Sequence, residues 1–186
     1  MHAEKAQLRQ KMLALRAAEI PETRRLRDHD ITTAVLALAQ YQSAHTIFCY
    51  CSTAEEIATD AIVLDALARG KRVCVPRCER PGEMTARQIE SFDQLIPGKF
   101  GIREPTANQP IIAPADIDFC IVPCLCADRQ GFRLGYGGGY YDRFLCQTQA
   151  YTVALCAASR LLDNPLPRES TDVPCDCILT ERQVHT

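Results

Sequence analysis

The sequence predicts an α/β fold: a single domain built on a mostly parallel sheet with helices on both faces. Three observations predict it. Short apolar runs rich in β-formers recur at residues 45–51, 71–76, 118–123, 151–156 and 175–180. Helical patterns separate most of them, and such alternation builds parallel sheets whose strands are buried on both sides. A glycine-rich stretch, GFRLGYGGGYYDRFL over residues 131–145, follows one strand and opens directly into a helical pattern.

The elements follow in order. Residues 3–18 are rich in Ala, Leu, Met, Lys, Arg and Glu, with no Gly or Pro, and predict a helix. Lys5 and Arg9, four apart, share one of its faces, which by spacing alone is a solvated basic face. Pro21 suits the first turn of a second helix running to about residue 40. The run HTIFCYC predicts the first buried strand. The polar segment STAEE follows it, then a helix over residues 59–69, with Ser52 or Thr59 as cap and Gly70 just past its end. Glu55 and Glu56 fall in this strand-to-helix loop, where open α/β sheets place ligand groups; two adjacent glutamates are more often ordinary surface charge. KRVCVP predicts a second strand. The less regular region after it, with Pro81-Gly82, MTARQI, FDQLIPGKFG and IREP, predicts an antiparallel excursion. DFCIVP, YTVALC and CDCILT give the remaining strands, with a helix over residues 139–147 between the first two.

Composition excludes several classes. The chain has 186 residues, 47% hydrophobic, enough for one compact core. A formal net charge of -2 argues against nucleic-acid binding, which wants a basic stripe. No apolar run is long enough to span a bilayer, and the polar start carries no secretory pattern, so the expected location is the cytoplasm. The eleven cysteines form CxC and CxxxC spacings but no CxxC pair. Cys49, Cys74, Cys120 and Cys156 lie inside apolar strands, where a thiol serves as a small hydrophobe. Neither a zinc site nor a disulfide is expected from these spacings.

The glycine stretch carries the chemistry. Gly135, Gly137, Gly138 and Gly139 suit a backbone with φ > 0 or one that closely approaches a ligand. A glycine turn leading into a helix suits phosphate, and Arg133 and Arg143 flank it. Asp142 beside such a cradle is useful mainly if it carries a metal ion. The spacing fits neither a P-loop nor GxGxxG, and close packing of strand, turn and helix remains the alternative use of these glycines.

The segment RLGYGGGYYDR over residues 133–143 resembles the signature of the 5-formyltetrahydrofolate cyclo-ligase (5,10-methenyltetrahydrofolate synthetase) family. Other matches occur in order: the helix with Lys5, Leu8 and Arg9; Glu56; Val75-Pro76-Arg77; Gly101-Ile102 with Glu104-Pro105; Asp118; and Asp172. The resemblance implies a fold like the sugar-phosphate isomerase and CoA-transferase group. It implies closure of 5-formyltetrahydrofolate to 5,10-methenyltetrahydrofolate, with ATP as co-substrate and Mg2+ as cofactor, giving ADP and phosphate. The expected partner is that small molecule alone, with no nucleic acid and no membrane, and the chain acts as a monomer.

Carried over by position, Lys5, Arg9 and Arg77 contact ATP. Arg133, Leu134, Gly135, Tyr136, Gly137, Gly138, Gly139, Tyr140 and Tyr141 form the nucleotide loop. Arg133 and Asp142 are the catalytic pair, and Asp142 and Asp172 hold magnesium. Cys51, Glu56, Tyr136 and Tyr140 meet the folate, with Glu56 on the amino-pyrimidine edge; packing on a helix face is the alternative for both tyrosines. The chain departs from the family where Cys124 replaces a common Gly and Ala127 a common Phe. Tyr136 and Gly138 also stand where some relatives carry basic residues, so Lys5, Arg9, Arg133, Arg143 and the metal must meet the phosphate charge. Two other classes share the fold: an ATP-independent sugar-phosphate or acyl-transfer enzyme, and a folate- or nucleotide-binding regulatory module. Release of ADP separates the first reading from both.

Overall fold

The computed structural model describes residues 2–98 and 101–186. Lys99 and Phe100, in the stretch FDQLIPGKFG, lie outside the described residues. Five parallel strands form the centre of the main sheet: β1 (Thr46–Cys49), β2 (Arg72–Arg80), β7 (Phe119–Pro123), β10 (Tyr151–Leu155) and β12 (Cys177–Leu179). Antiparallel strands extend both edges, namely β3 (Glu83–Ile89) and β6 (Ile111–Ile112) on one side and β13 (Val184–His185) on the other. The spatial order is β13-β12-β10-β7-β1-β2-β3-β6. The antiparallel excursion after the second strand is therefore present. It also contains a separate hairpin of β4 (Leu95–Pro97) and β5 (Arg103–Pro105).

Alternation along the strands sorts the core into two layers. Ile47, Cys49, Val73, Val75, Phe119, Ile121, Val153, Leu155, Cys177 and Leu179 face one side. They pack under α2 (Pro21–Ala37), α3 (Ala39–Ser43) and α4 (Asp60–Ala68), which contribute Ile31, Val35, Tyr41, Ile62, Val63 and Ala66. Phe48, Cys74, Cys120, Val122, Ala154 and Ile178 face the other side, under the short helix α5 (Tyr140–Leu145). Phe144 of α5 stacks on Phe48 with ring centroids 4.6 Å apart. Burial of one such ring contributes about 2–3 kcal/mol. Cys49, Cys74, Cys120 and Cys156 are all buried and act as small apolar side chains within these layers.

The second helix is shorter than its sequence suggests. Nothing in ITTAVLALAQ breaks a helix, yet Leu38 is extended (φ -64, ψ 129) and divides α2 from α3. The break turns the chain so that Tyr41 enters the core, where its ring meets Phe119 edge-on at 5.8 Å. Thr59 does not cap α4 with its side chain, because its hydroxyl donates to the Tyr50 carbonyl at 2.7 Å. Gly70, at φ +70, ends that helix as expected.

The first helix, α1 (His2–Ala17), covers neither face of the sheet. It packs through Leu8 and Met12 on a small three-stranded sheet of β8 (Cys126–Asp128), β9 (Arg133–Leu134) and β11 (Leu161–Leu162). β8 and β9 lead from β7 into the glycine stretch, so this small sheet carries the turn to the rim of the main one.

Candidate active site

β1, β7 and β10 are neighbouring parallel strands, so their carboxyl ends open side by side. That edge is where an α/β sheet receives ligands. Four segments converge on it: residues 50–57 after β1, Cys124 after β7, residues 156–160 after β10, and the glycine turn 135–139.

α1 lies over this edge, and its buried stripe is charged. Lys5 and Arg16 are buried and Arg9 is half-buried, with Met12 the buried apolar member between them. The solvated basic face suggested by spacing is thus an inward face. Arg9 donates through Nε to the Gly135 carbonyl at 2.8 Å. Arg16 donates to the Tyr136 hydroxyl at 2.6 Å and to the Cys124 carbonyl at 3.1 Å. Lys5 donates to Asp172 Oδ2 at 2.7 Å, tying the helix to the distant segment before β12. Sequence reasoning missed Arg16. Its signal was present, because residues 5, 9, 12 and 16 follow a helical stripe.

Two of the four glycines in the turn, Gly137 and Gly139, are required by the backbone; Gly135 has no positive φ and open space around it. Gly137 sits at φ +99, and a β-carbon there would lie 3.1 Å from the Arg9 guanidinium carbon. Gly139, at φ +65, is the N-cap of α5 and would place a β-carbon 3.1 Å from Arg143. Arg143 braces the turn by donating to the carbonyls of Gly138 (2.5 Å) and Gly82 (2.7 Å). Arg133 donates to Asp142 Oδ1 at 3.0 Å and to the Val173 carbonyl at 2.7 Å. Lys5, Arg9, Arg133 and Arg143 therefore all reach the turn or its immediate supports.

The two aspartates are brought close in space despite their separation in sequence. The Val173 N–H, next to Asp172, donates to Asp142 Oδ1 at 3.1 Å. Asp172 Oδ2 accepts from Lys5 and from the Glu169 N–H at 2.8 Å. In each carboxylate the second oxygen makes no hydrogen bond among the described residues. No group of three metal-ligating side chains occurs among those residues. Two carboxylates with one uncommitted oxygen apiece fit magnesium, which takes one or two carboxylates and completes its octahedron with phosphate oxygens and water.

Glu55 and Glu56 differ sharply. Glu55 is exposed, whereas Glu56 is buried and accepts the Thr53 N–H at 3.0 Å. Burial, and then the negative charge of Glu56, push the pKa values of Tyr50 and Tyr141 well above the tyrosine range. Tyr50, missed from the sequence, also donates to the Ile57 carbonyl at 2.8 Å, which fixes the loop that holds Glu56. Cys51 is buried beside them, and its thiol is pushed up to about 12 by burial, which keeps it protonated. Tyr136 is 60% exposed and reaches Arg16 through its hydroxyl, so it is not a core residue. Tyr140 is half-buried at the start of α5. Arg77 donates to the Pro105 carbonyl at 2.6 Å and lies 3.8 Å from Glu79; its contacts run to those residues and not to the glycine turn.

Fold and site define an α/β domain that carries a cation-braced glycine turn at the carboxyl edge of a parallel sheet. Residues 1–181 match the model of the 5-formyltetrahydrofolate cyclo-ligase family, and the chain belongs to that family. It is 29% identical over 191 residues to the 5-formyltetrahydrofolate cyclo-ligase of Mus musculus, covering 95% of this chain and 91% of that one. The Escherichia coli (strain K12) 5-formyltetrahydrofolate cyclo-ligase is 27% identical over 175 residues, with 91% and 96% covered. The NMR structure of Aquifex aeolicus 5,10-methenyltetrahydrofolate synthetase superposes with a TM-score of 0.86 at 30% identity, covering 97% of this chain and 91% of that chain. A 5,10-methenyltetrahydrofolate synthetase from Mycoplasma pneumoniae, at 21% identity and a TM-score of 0.78, shares the fold.

Proposed function

We propose that this chain closes 5-formyltetrahydrofolate to 5,10-methenyltetrahydrofolate at the expense of ATP, as a single domain over residues 1–186 acting as a cytoplasmic monomer. The observation that carries the proposal is the inward stripe of Lys5, Arg9 and Arg16, of which Arg9 and Arg16 reach the glycine turn and Lys5 reaches Asp172. Lys5 is met by Asp172, but Arg16 is buried and Arg9 half-buried with no carboxylate partner among the described residues. Such burial is costly unless anionic or strongly polar groups meet the cations, and a nucleotide supplies such groups.

A formyl oxygen is a poor leaving group. In the proposed sequence it takes the γ-phosphoryl group of ATP, and ADP departs. N10 then adds to the activated carbon, the carbon–oxygen bond breaks, and the oxygen leaves within phosphate. Catalysis of such a transfer is mostly positioning and charge stabilisation. Residues 133–141 hold the nucleotide, with Lys5 and Arg9 on its phosphates; Arg77, turned to Pro105 and Glu79, is left out of this set. Arg133 acts at the transferring group, held in place by Asp142. Asp142 and Asp172 hold magnesium, which offsets phosphate charge. Glu56 pairs with the amino-pyrimidine edge of the pterin, and its burial among Tyr50 and Tyr141 strengthens that bond. Tyr136 and Tyr140 offer aromatic faces to the folate or the adenine, and Cys51 forms a protonated wall and not a nucleophile.

The test mixes the protein with 5-formyltetrahydrofolate, ATP and magnesium, and follows the near-ultraviolet band of the product alongside ADP. The proposal predicts that both rise together, at one ADP per ring closed. ADP without the methenyl band would reveal a different acceptor, and neither signal would overturn the proposal.

A further inference from the structure

Four arginines are buried in the described part of the chain: Arg16, Arg27, Arg87 and Arg160. Two have acidic partners. Arg27 pairs with Glu19 and Asp28, and Arg87 with Glu79. Arg16 and Arg160 have no carboxylate within ion-pair distance among the described residues. Arg16 spends two of its donors on the Tyr136 hydroxyl and the Cys124 carbonyl, and its buried Nε–H meets no acceptor. Arg160 is 3% exposed, its buried Nε–H is equally unmatched, and its guanidinium makes no hydrogen bond to the described protein. Buried charges of this kind are normally paired, and a guanidinium stays charged at any ordinary pH.

The two guanidiniums belong to one cluster. Burial, and then the positive charge of Arg16, press the pKa of Arg160 down from its ordinary value. Arg160 follows β10 and precedes β11, so it stands at the same carboxyl edge as Cys124 and the glycine turn. The ionisable groups that act on it are the cations Arg16 and Arg27, the latter already paired with Glu19 and Asp28, and the thiols of Cys124 and Cys156. The neighbouring Cys156 thiol draws the Cys124 pKa down, burial opposes this, and Arg160, Arg16 and Arg133 add to the lowering; the Cys156 Sγ itself donates to the Ala157 carbonyl at 3.5 Å. The Cys124 Sγ nonetheless donates to the Leu155 carbonyl at 3.2 Å, a bond that only the protonated thiol makes. The protein itself therefore supplies no settled counter-charge.

We infer that Arg160, with Arg16 beside it, is the receptor for one oxyanion of a bound substrate, a carboxylate or a phosphate, at the carboxyl edge of the sheet. The paired, forked donors of two guanidiniums suit such a group. The inference rests on the ring-closing reading only for its candidate ligands: the phosphates of ATP and the glutamate carboxylates of the folate. A receptor that lacks its anion is unfavourable to the free protein, so removing the charge should relieve the fold while weakening the ligand. A structural arginine would behave in the opposite way.

The experiment compares the wild-type chain with Arg160→Met and Arg160→Gln, and needs no turnover. Calorimetric titrations use ATP, 5-formyltetrahydrofolate, and its analogue lacking the glutamate. Thermal melts are recorded without ligand. The inference predicts that Arg160→Met melts at or above the wild-type temperature and loses affinity for one ligand by about tenfold or more. If a carboxylate seats there, the folate weakens and the glutamate-free analogue does not; if a phosphate seats there, ATP weakens alone. Affinities all within twofold of wild type would overturn the inference. So would a variant that melts well below it. Because binding is read separately from ring closure, a wild-type chain that binds but does not turn over would leave this result interpretable.

Discussion

Lys5→Met removes the cation that joins the first helix to the segment before the last parallel strand. Lys5 Nζ lies 2.7 Å from Asp172 Oδ2 and 3.7 Å from Glu169. The lysine side chain is 7% exposed and the aspartate 22%. Breaking a fully buried pair costs about 3–5 kcal/mol, because one charge is left uncompensated. Asp172 keeps some water and the Glu169 N–H bond, so about 2–3 kcal/mol is the expected loss. With a urea slope of about 2 kcal/mol per molar, the denaturation midpoint falls by about 1–1.5 M. The double variant with Asp172→Asn should recover part of the loss, a coupling of about 1–3 kcal/mol. Coupling below about 0.5 kcal/mol would refute the view that the pair holds the helix over the site. The ATP requirement of Lys5→Met should rise as well. Lost stability with unchanged ATP dependence would leave Lys5 a structural ion-pair residue and remove it from the phosphate contacts.

Gly137→Ala puts a side chain at φ +99 and against the Arg9 guanidinium, so it should cost about 1–3 kcal/mol in a thermal melt and weaken ATP binding; a variant unchanged in both would remove the turn from the nucleotide site. Asp142→Asn should keep the fold but need roughly an order of magnitude more magnesium for half-activation, and full activity at unchanged magnesium would sink the metal assignment. Tyr41→Phe deletes the 2.7 Å bond to Asp65 and should cost about 1–2 kcal/mol near neutral pH. Burial alone would raise the Asp65 pKa, but the bonds from Tyr41 and Arg69 outweigh it and hold the group below 3.8. Its stabilisation is therefore complete above that value and is lost as pH falls through the lower folded pKa, so the gap between variant and wild type should narrow in acid. An unchanged gap would contradict the linkage.

The parallel strands were legible because each is a short apolar run rich in β-formers, down to the three residues Cys177–Leu179 of the last. β8, β9 and β11 were not, since two or three residues carry no period. The break at Leu38 was hidden because packing of Tyr41, and no local breaker, sets it. In the site, the glycine turn, Arg133 and Asp142 announced themselves by composition and order. Lys5 and Arg9 did not, since spacing cannot tell an inward basic face from a solvated one. Spacing left Glu55 and Glu56 alike; the family resemblance picked out Glu56, and burial separates the two. Arg160 sits in a short turn with no motif around it, and only the lack of an acidic partner marks it out.

Transfer of the γ-phosphoryl group to the formyl oxygen is the central claim, and the fate of that oxygen tests it. The substrate is prepared with oxygen-18 in the formyl group and turned over once with ATP and magnesium, and the inorganic phosphate is analysed by mass. If the oxygen is phosphorylated before N10 displaces it, each phosphate carries one oxygen-18 atom, in step with the methenyl product and ADP. Unlabelled phosphate, with the label released to water, would contradict the account.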